Sequence, residues 1–394
     1  MEEMDDMVFT DEVDEVLDEF EAANDDENDD LYQDLCKQDD GSCVFSRHTG
    51  SVFCGSLNIK GDLAATGGED DKAYIWDTTS GEIVFECKSH EDSVIFAEFN
   101  TDGSYVATAD MSGIIYVWSV REKNLVWKYS MGDVSWLRWH LHANILFAGS
   151  VNGDTYIWRI PMGTCKIVQG CGLRSETAVI MADGKRLAVG FEDGSIRIID
   201  FTSNSEELEI ITIHSGHSEG ITALDCHPDN NLLLSSGVDG KTILHSTKTK
   251  KIIKILQDLK NDTRVEAKSC PEEPDENNWV ESIAFCKNPT FVVAATGTLQ
   301  GKIFIWDISK QLIRHHIQQE GGISKLVWMS TTPILFSAGL DGILRCFNAK
   351  TGQLVKSYNG HTAGILDVHV CENARTVLTT SDDRTARIFQ IDIL

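Results

Sequence analysis

Gly67–Asp77 reads GGEDDKAYIWD: a tight turn, then a short strand that closes on Trp-Asp. The same pattern returns along the chain at a nearly constant interval, which makes this a repeat protein. Aligning the repeats on the end of that strand gives the anchors Trp76, Trp118, Trp158, Ile199, His245, Trp306, Phe347 and Phe389, with spacings of 42, 40, 41, 46, 61, 41 and 42 residues. Six residues before each anchor stands Asp70, Ser112, Asn152, Asp193, Asp239, Gln300, Asp341 or Asp383, the small polar or amide side chains that a tight turn prefers. Ten residues before it, Thr66, Thr108, Ser235, Thr296, Ser337 and Thr379 mark six of the eight repeats. A Trp-Asp repeat of about 40–45 residues is the signature of a propeller blade. The expected fold is therefore an all-β, eight-bladed propeller over residues 41–394.

The two ends of the repeat array fit together. Only five residues follow Phe389, so the last repeat lacks its outer strand, whereas Ser42–Arg47 (SCVFSR) precedes His48 much as Leu354–Asn359 precedes Gly360-His361. The N-terminal segment is expected to supply the missing strand and close the ring, removing an exposed sheet edge. The long 61-residue interval predicts an exposed acidic insertion around 257–278, containing CPEEPDENN. It reads either as a plain surface excursion or as a partner-binding loop.

Charge is unevenly spread. Of a formal −28, residues 1–40 carry −18, with 19 acids against one Lys, and the remaining 354 residues carry −10. The first 40 residues read as an acidic disordered tail. Within it, Val13, Val16, Leu17 and Phe20 share one face of a possible short helix, either incidental to a solubilising tail or folding on a partner or on the propeller. The acidic field repels nucleic acid and anionic membrane and attracts basic proteins. The small clusters Lys248–Lys251 and Arg384–Arg387 read as solvated turn or strand charges, so no direct nucleic-acid contact is expected. MEEMDDMVF has neither the basic nor the apolar region of a secretory signal, and no apolar run is long enough to span a membrane. Eleven cysteines without a CxxC pair suit a reducing compartment, and no metal or cofactor site is expected.

Ser/Thr-His-Asp sets recur: His48, Thr66, Asp70 with Trp76; His217, Ser235, Asp239 with His245; and His361, Thr379, Asp383 with Phe389. An enzyme needs one such site beside an oxyanion hole, so repetition argues for structural work and against catalysis. No phosphate-binding glycine loop is present, because GGEDDK lacks the required spacing. What remains for function is the turn surface, where acids accumulate. Glu69, Asp71, Asp92, Asp133, Glu192, Glu219 and Asp382 are the candidates for solvent-facing partner contacts, with Asp110 among the acids beside them. They form either an electronegative funnel at one mouth of the channel or ordinary surface acids with no common target.

Gly-His at 216–217 and 360–361, the turn Asp residues and Trp-Asp at 76–77 and 306–307 resemble WD40 repeats, in which His, Ser/Thr, Asp and Trp form a structural hydrogen-bond network. Phe389 and His245 depart from that pattern, which implies blades of unequal stability. SVFC at Ser51–Cys54, GGEDDKA at Gly67–Ala73, TADMSG at Thr108–Gly113, GFEDGSIR at Gly190–Arg197 and GHTAGILD at Gly360–Asp367 resemble the angio-associated migratory cell protein family. The resemblance implies a non-catalytic binding protein; it is expected to be a monomer in the cytoplasm, with nuclear shuttling or peripheral plasma-membrane association open. Fungal relatives in that family are chaperones for a basic large-subunit ribosomal protein, so one expected function is an escort for a basic client. Animal members are associated with cell migration, angiogenesis and small-GTPase signalling, so the alternative is a signalling scaffold with several partners.

Overall fold

The computed structural model of the chain describes residues 39–201, 209–261, 279–373 and 375–392. The expected helix at Val13–Phe20 and the core of the acidic insertion, 262–278, lie outside the described residues. The ring unit spans Asp40–Leu394. It contains eight antiparallel four-stranded sheets, one per repeat, and we letter the strands of each blade a to d from the channel outward.

Blade one shows how the residues select their strands. Strand a is Val52–Leu57, b is Leu63–Gly68, c is Ala73–Asp77 and d is Ile83–Cys87. Strand b is almost wholly buried and built from small residues, LAATGG, because neighbouring blades cover both of its faces. Its equivalents YVATAD (Tyr105–Asp110), LLLSSG (Leu232–Gly237) and VAATGT (Val293–Thr298) follow the same rule. Outer strands show the half-buried pattern of a surface strand, as in Asn124–Ser130 and Leu312–Gln318. The core is accordingly a chain of inter-blade layers, each joining the facing sheets of two neighbours, such as Ile75, Val94, Val106 and Trp118 between blades one and two. Every strand a carries a register shift just after its first residue, between Val52 and Cys54 in blade one and between Ile365 and Asp367 in blade eight. An extra residue at this point increases local twist, as the narrow hub requires.

The ring closes as expected. Cys43–Phe45 pairs antiparallel with Ala386–Gln390 and becomes strand d of blade eight. Ser42 donates from N and Oγ to the Ile388 carbonyl at 2.7 and 3.0 Å, and Asn359 N donates to Asp40 Oδ2 at 2.8 Å. Phe45 stacks flat on Trp76, with centroids 4.7 Å apart and planes within 6°, so the closing strand also locks blade eight to blade one.

One boundary differs from expectation. Strand d of blade five runs Lys251–Asp258 and buries Gln257, so the insertion begins after the strand. Two register shifts set its eight residues against six of Lys241–Ser246, absorbing part of the extra length within the sheet.

Candidate functional site

Three of the expected networks and one unexpected one share the same geometry. In blade one, Trp76 Nε1 donates to Thr66 Oγ1 at 3.2 Å, Thr66 Oγ1 bonds His48 Nε2 at 3.0 Å, and His48 Nδ1 bonds Asp70 Oδ1 at 2.9 Å. An indole only donates and a carboxylate only accepts, so every proton in the chain points toward Asp70. Asp70 Oδ2 also accepts Thr49 N at 2.9 Å, fixing the entry to strand a. Blade eight repeats the His361–Asp383 (2.8 Å) and His361–Thr379 (2.7 Å) bonds and ends at Phe389, which has no donor. In blade five, His217 bonds Asp239 at 2.9 Å and Ser235 at 2.8 Å, and His245 Nε2 meets Ser235 Oγ at 2.7 Å where a Trp stands elsewhere. Burial, then the neighbouring His217, pulls His245 down to about 3, so it is a neutral donor. Burial works to raise Asp239, but the hydrogen bond and charge of His217 hold it at about 2.

Blade two contains the network that the six-residue rule misses. His90 bonds Asp110 Oδ2 and Thr108 Oγ1, both at 2.8 Å, and Trp118 Nε1 donates to Thr108 at 2.8 Å. Asp110 is fully buried and also accepts Ser112 Oγ and Ile114 N, so it is a turn pin and not a surface acid. The signal was present: His90 precedes Trp118 by 28 residues, as His48 precedes Trp76. The hydroxyls of Thr66, Thr108, Ser235 and Thr379 are all fully buried, so they brace turns and do not face a substrate.

The same topology gathers the surface acids. In an antiparallel a-b-c-d sheet, the b–c turn and the crossing from d to the next blade fall at one end. Backbone bonds tie the two together: Glu69 N to Ser51 O (2.8 Å), Glu192 N to Arg174 O (3.0 Å) and Asp382 N to Gly364 O (3.1 Å). This end is the upper rim. Glu69 and Asp71 lie on the b–c turn of blade one, Asp92 and Asp133 on the crossings into blades two and three, Glu192 on blade four, Glu219 at the entry to blade five and Asp382 on blade eight. All seven are exposed, and they follow an unbroken arc from blade eight to blade five. Three are already engaged: Glu69 accepts Ser51 N at 3.1 Å, Asp92 accepts Ser93 N at 2.8 Å, and Glu219 pairs with Lys260 at 3.1 Å.

Sequence reading did not anticipate the channel wall. Arg138 pairs with Glu98 at 3.0 Å, Lys325 pairs with Asp367, and Asp367 accepts Gly55 N at 3.1 Å. Asp225 accepts Phe285 N at 2.6 Å and pairs with Lys287 at 2.8 Å. These contacts stitch four pairs of neighbouring blades together, and Glu98, Lys325 and Asp367 line a cavity of about 390 Å³ on the channel wall. Among the described residues the nine cysteines are free, no acid/His/Cys group has metal-site geometry, and no helix is long and apolar enough to cross a membrane.

Fold and networks together define a WD40 protein-binding propeller, and the WD domain, G-beta repeat family matches residues 41–77, 81–119, 208–246 and 352–390. The chain belongs to the angio-associated migratory cell protein family: it is 40% identical to the human member over 353 residues, spanning 89% of this chain and 80% of that protein. It is also 25% identical over 425 residues to the ribosome assembly protein SQT1 of Saccharomyces cerevisiae, covering 95% and 93% of the two chains. The crystal structure of Chaetomium thermophilum Sqt1 bound to the N-terminus of ribosomal protein L10 superposes with a TM-score of 0.74 at 21% identity, covering 90% of this chain and all of that one.

Proposed function

We propose that the chain is an escort that shields a basic protein segment on its upper rim, as a non-catalytic binding module. The observation that carries this reading is the continuous arc of seven exposed carboxylates from blade eight to blade five. Acids presented on turns at one mouth of a ring sum into a field that attracts cationic chains over distance and speeds their association. A strongly basic protein away from RNA needs such cover. The Sqt1–L10 complex is a relative's precedent for an N-terminal segment on this fold and makes a ribosomal protein the first client to try.

The test is titration of the full chain with a synthetic peptide of the L10 N-terminus at rising salt. Binding should weaken steeply, because exposed charges are screened within about 8–10 Å near physiological ionic strength. The variant Asp92→Lys/Glu219→Lys should lose tenfold or more in affinity with an unchanged melting temperature. Salt-insensitive binding, or equal binding by the variant, would overturn the reading.

A further inference from the structure

The opposite end of the ring, the lower rim, carries the a–b and c–d turns, and its charge has the other sign across blades five to seven. Lys248, Lys250, Lys251, Lys310, Arg314 and Lys350 are all exposed there. Few carboxylates stand among them: Asp307 is paired with Lys310 at 3.6 Å, and Asp229 is hydrogen-bonded to His227 at 2.9 Å. No sequence window shows this cluster, because its members come from three repeats. The fold joins them. Lys254 Nζ donates to the Gln311 carbonyl at 2.9 Å, linking blade five to six. His315 Nε2 donates to the Lys350 carbonyl at 3.0 Å, linking blade six to seven. Arg314 and Lys350 both lie over the Phe291 ring, at 5.3 and 5.8 Å.

The backbone adds a second observation. Five residues after the anchor, the c–d turn needs a left-handed residue, and blades one, three and seven place Gly81, Gly163 and Gly352 there. Blades two, five and six instead place Lys123, Lys250 and Gln311 there, at φ 53°, 60° and 55°. Within the basic surface, the turns of blades five and six thus present long polar side chains where glycine is favoured.

We propose that this lower-rim surface of blades five to seven binds the phosphate backbone of RNA without reading its sequence. Lysines act as point charges for phosphates, and Thr249, Ser309, Gln311 and Thr351, all on the same turns, add hydroxyl and amide hydrogen bonds of the kind that position a backbone. A lipid surface fits less well, because exposed Ile253, Ile255 and Leu354 lie in outer strands and not at the turn tips. The upper-rim acids do not cancel the site. Six-residue inner strands set the two rims about 20 Å apart at ~3.3 Å per residue, roughly two screening lengths at 0.1 M salt. The sequence-based expectation of no nucleic-acid contact takes the acid as one field over the whole chain and each basic cluster by itself; the fold instead separates the two signs onto opposite rims.

The test is fluorescence anisotropy of a fluorescein-labelled 20-nucleotide uridine oligomer titrated with the full chain at 50, 100 and 200 mM KCl. Binding in the roughly 1–100 µM range is expected at the low end. Neutralising four to six phosphates of a single strand gives a log–log salt slope of about −3 to −4. The variant Lys310→Glu/Arg314→Glu/Lys350→Glu should bind at least tenfold more weakly with an unchanged melting temperature, while Lys60→Glu on blade one should bind like the parent. The proposal is overturned if the oligomer does not bind at 50 mM, if the triple variant binds equally, or if phosphatidylserine vesicles bind and the oligomer does not. The triple variant should still bind the L10 peptide, so failure here leaves the upper-rim reading intact, and the reverse.

Discussion

Phe45→Ala tests ring closure at a single side chain. Phe45 is 1% exposed, stacks on Trp76 and meets Tyr74 and His48 edge-on at 5.5 and 5.8 Å. It sits in the strand that completes blade eight, yet its ring packs on blade one. Truncation removes one aromatic from a layer that also holds Leu57, Leu378 and Ile388, and leaves a cavity there. Buried Phe→Ala changes cost about 3–5 kcal/mol. With an unfolding entropy of ~2.1 cal/mol/K per residue, the Asp40–Leu394 unit loses about 4–7 °C in melting temperature. The control is Val44→Ala, one residue away, 39% exposed and paired with Arg387, for which a change within about 1 °C is expected. Differential scanning fluorimetry reads both. Limited proteolysis should also cut Phe45→Ala faster near 386–390, whose outer edge the closing strand covers. Equal melting temperatures for the two variants would refute the claim that this strand carries closure.

Three further outcomes follow from the networks. His245 titrates near 3 when folded and near its ordinary 6.5 when unfolded, so its neutral form favours folding above 6.5, and stability drains as pH falls from 6.5 toward 3. At pH 5 that loss is about 2 kcal/mol, and His245→Gln should flatten the fall in urea midpoint between pH 7 and 5; parallel profiles would count against a buried neutral imidazole. Asp110→Asn should cost about 2–4 kcal/mol in equilibrium unfolding and Ser112→Ala about 1 or less, and the reverse order would move the turn pin of blade two to position 112. Trp158 Nε1 is buried with no partner, and Ala148 occupies the position where Thr66 accepts from Trp76, so Ala148→Ser should raise stability by about 1 kcal/mol; a drop in melting temperature would show that the hydroxyl does not reach.

The anchors made the blade count legible because each marks the end of a strand whose neighbours on both sides are covered, and covered strands tolerate few substitutions. Closure was legible for a related reason: a strand missing at one end of a repeat array and spare at the other fits only one way. The blade-two network was not, because Ser112 filled the expected column while the carboxylate had moved two residues upstream to Asp110. A column of histidines 28 residues before each anchor finds His48, His90, His217 and His361, and then Gln319, which accepts Ser337 Oγ at 2.9 Å in blade seven. The acids of the upper rim were named one by one, but their common end depends on strand direction. Of the lower-rim cations only Lys248–Lys251 stood out, and its joining to Lys310, Arg314 and Lys350, like the channel pairs, was invisible, because contacts such as Lys325–Asp367 and His315–Lys350 join different repeats and leave no short-range pattern.

The bond from Ser42 to Ile388 spans 346 positions. During synthesis, the strand that seals the molecule leaves the ribosome long before Ala386–Gln390, the strand it must meet. Seven blades can form in order as the chain grows, while the eighth waits for Ala386–Gln390. A chain halted before Ala386 therefore keeps the backbone groups of Cys43–Phe45 unmatched, although Phe45 can already pack on Tyr74 and Trp76 of blade one. Until the two meet, the closing strand keeps an unpaired edge, the feature by which incomplete chains associate wrongly.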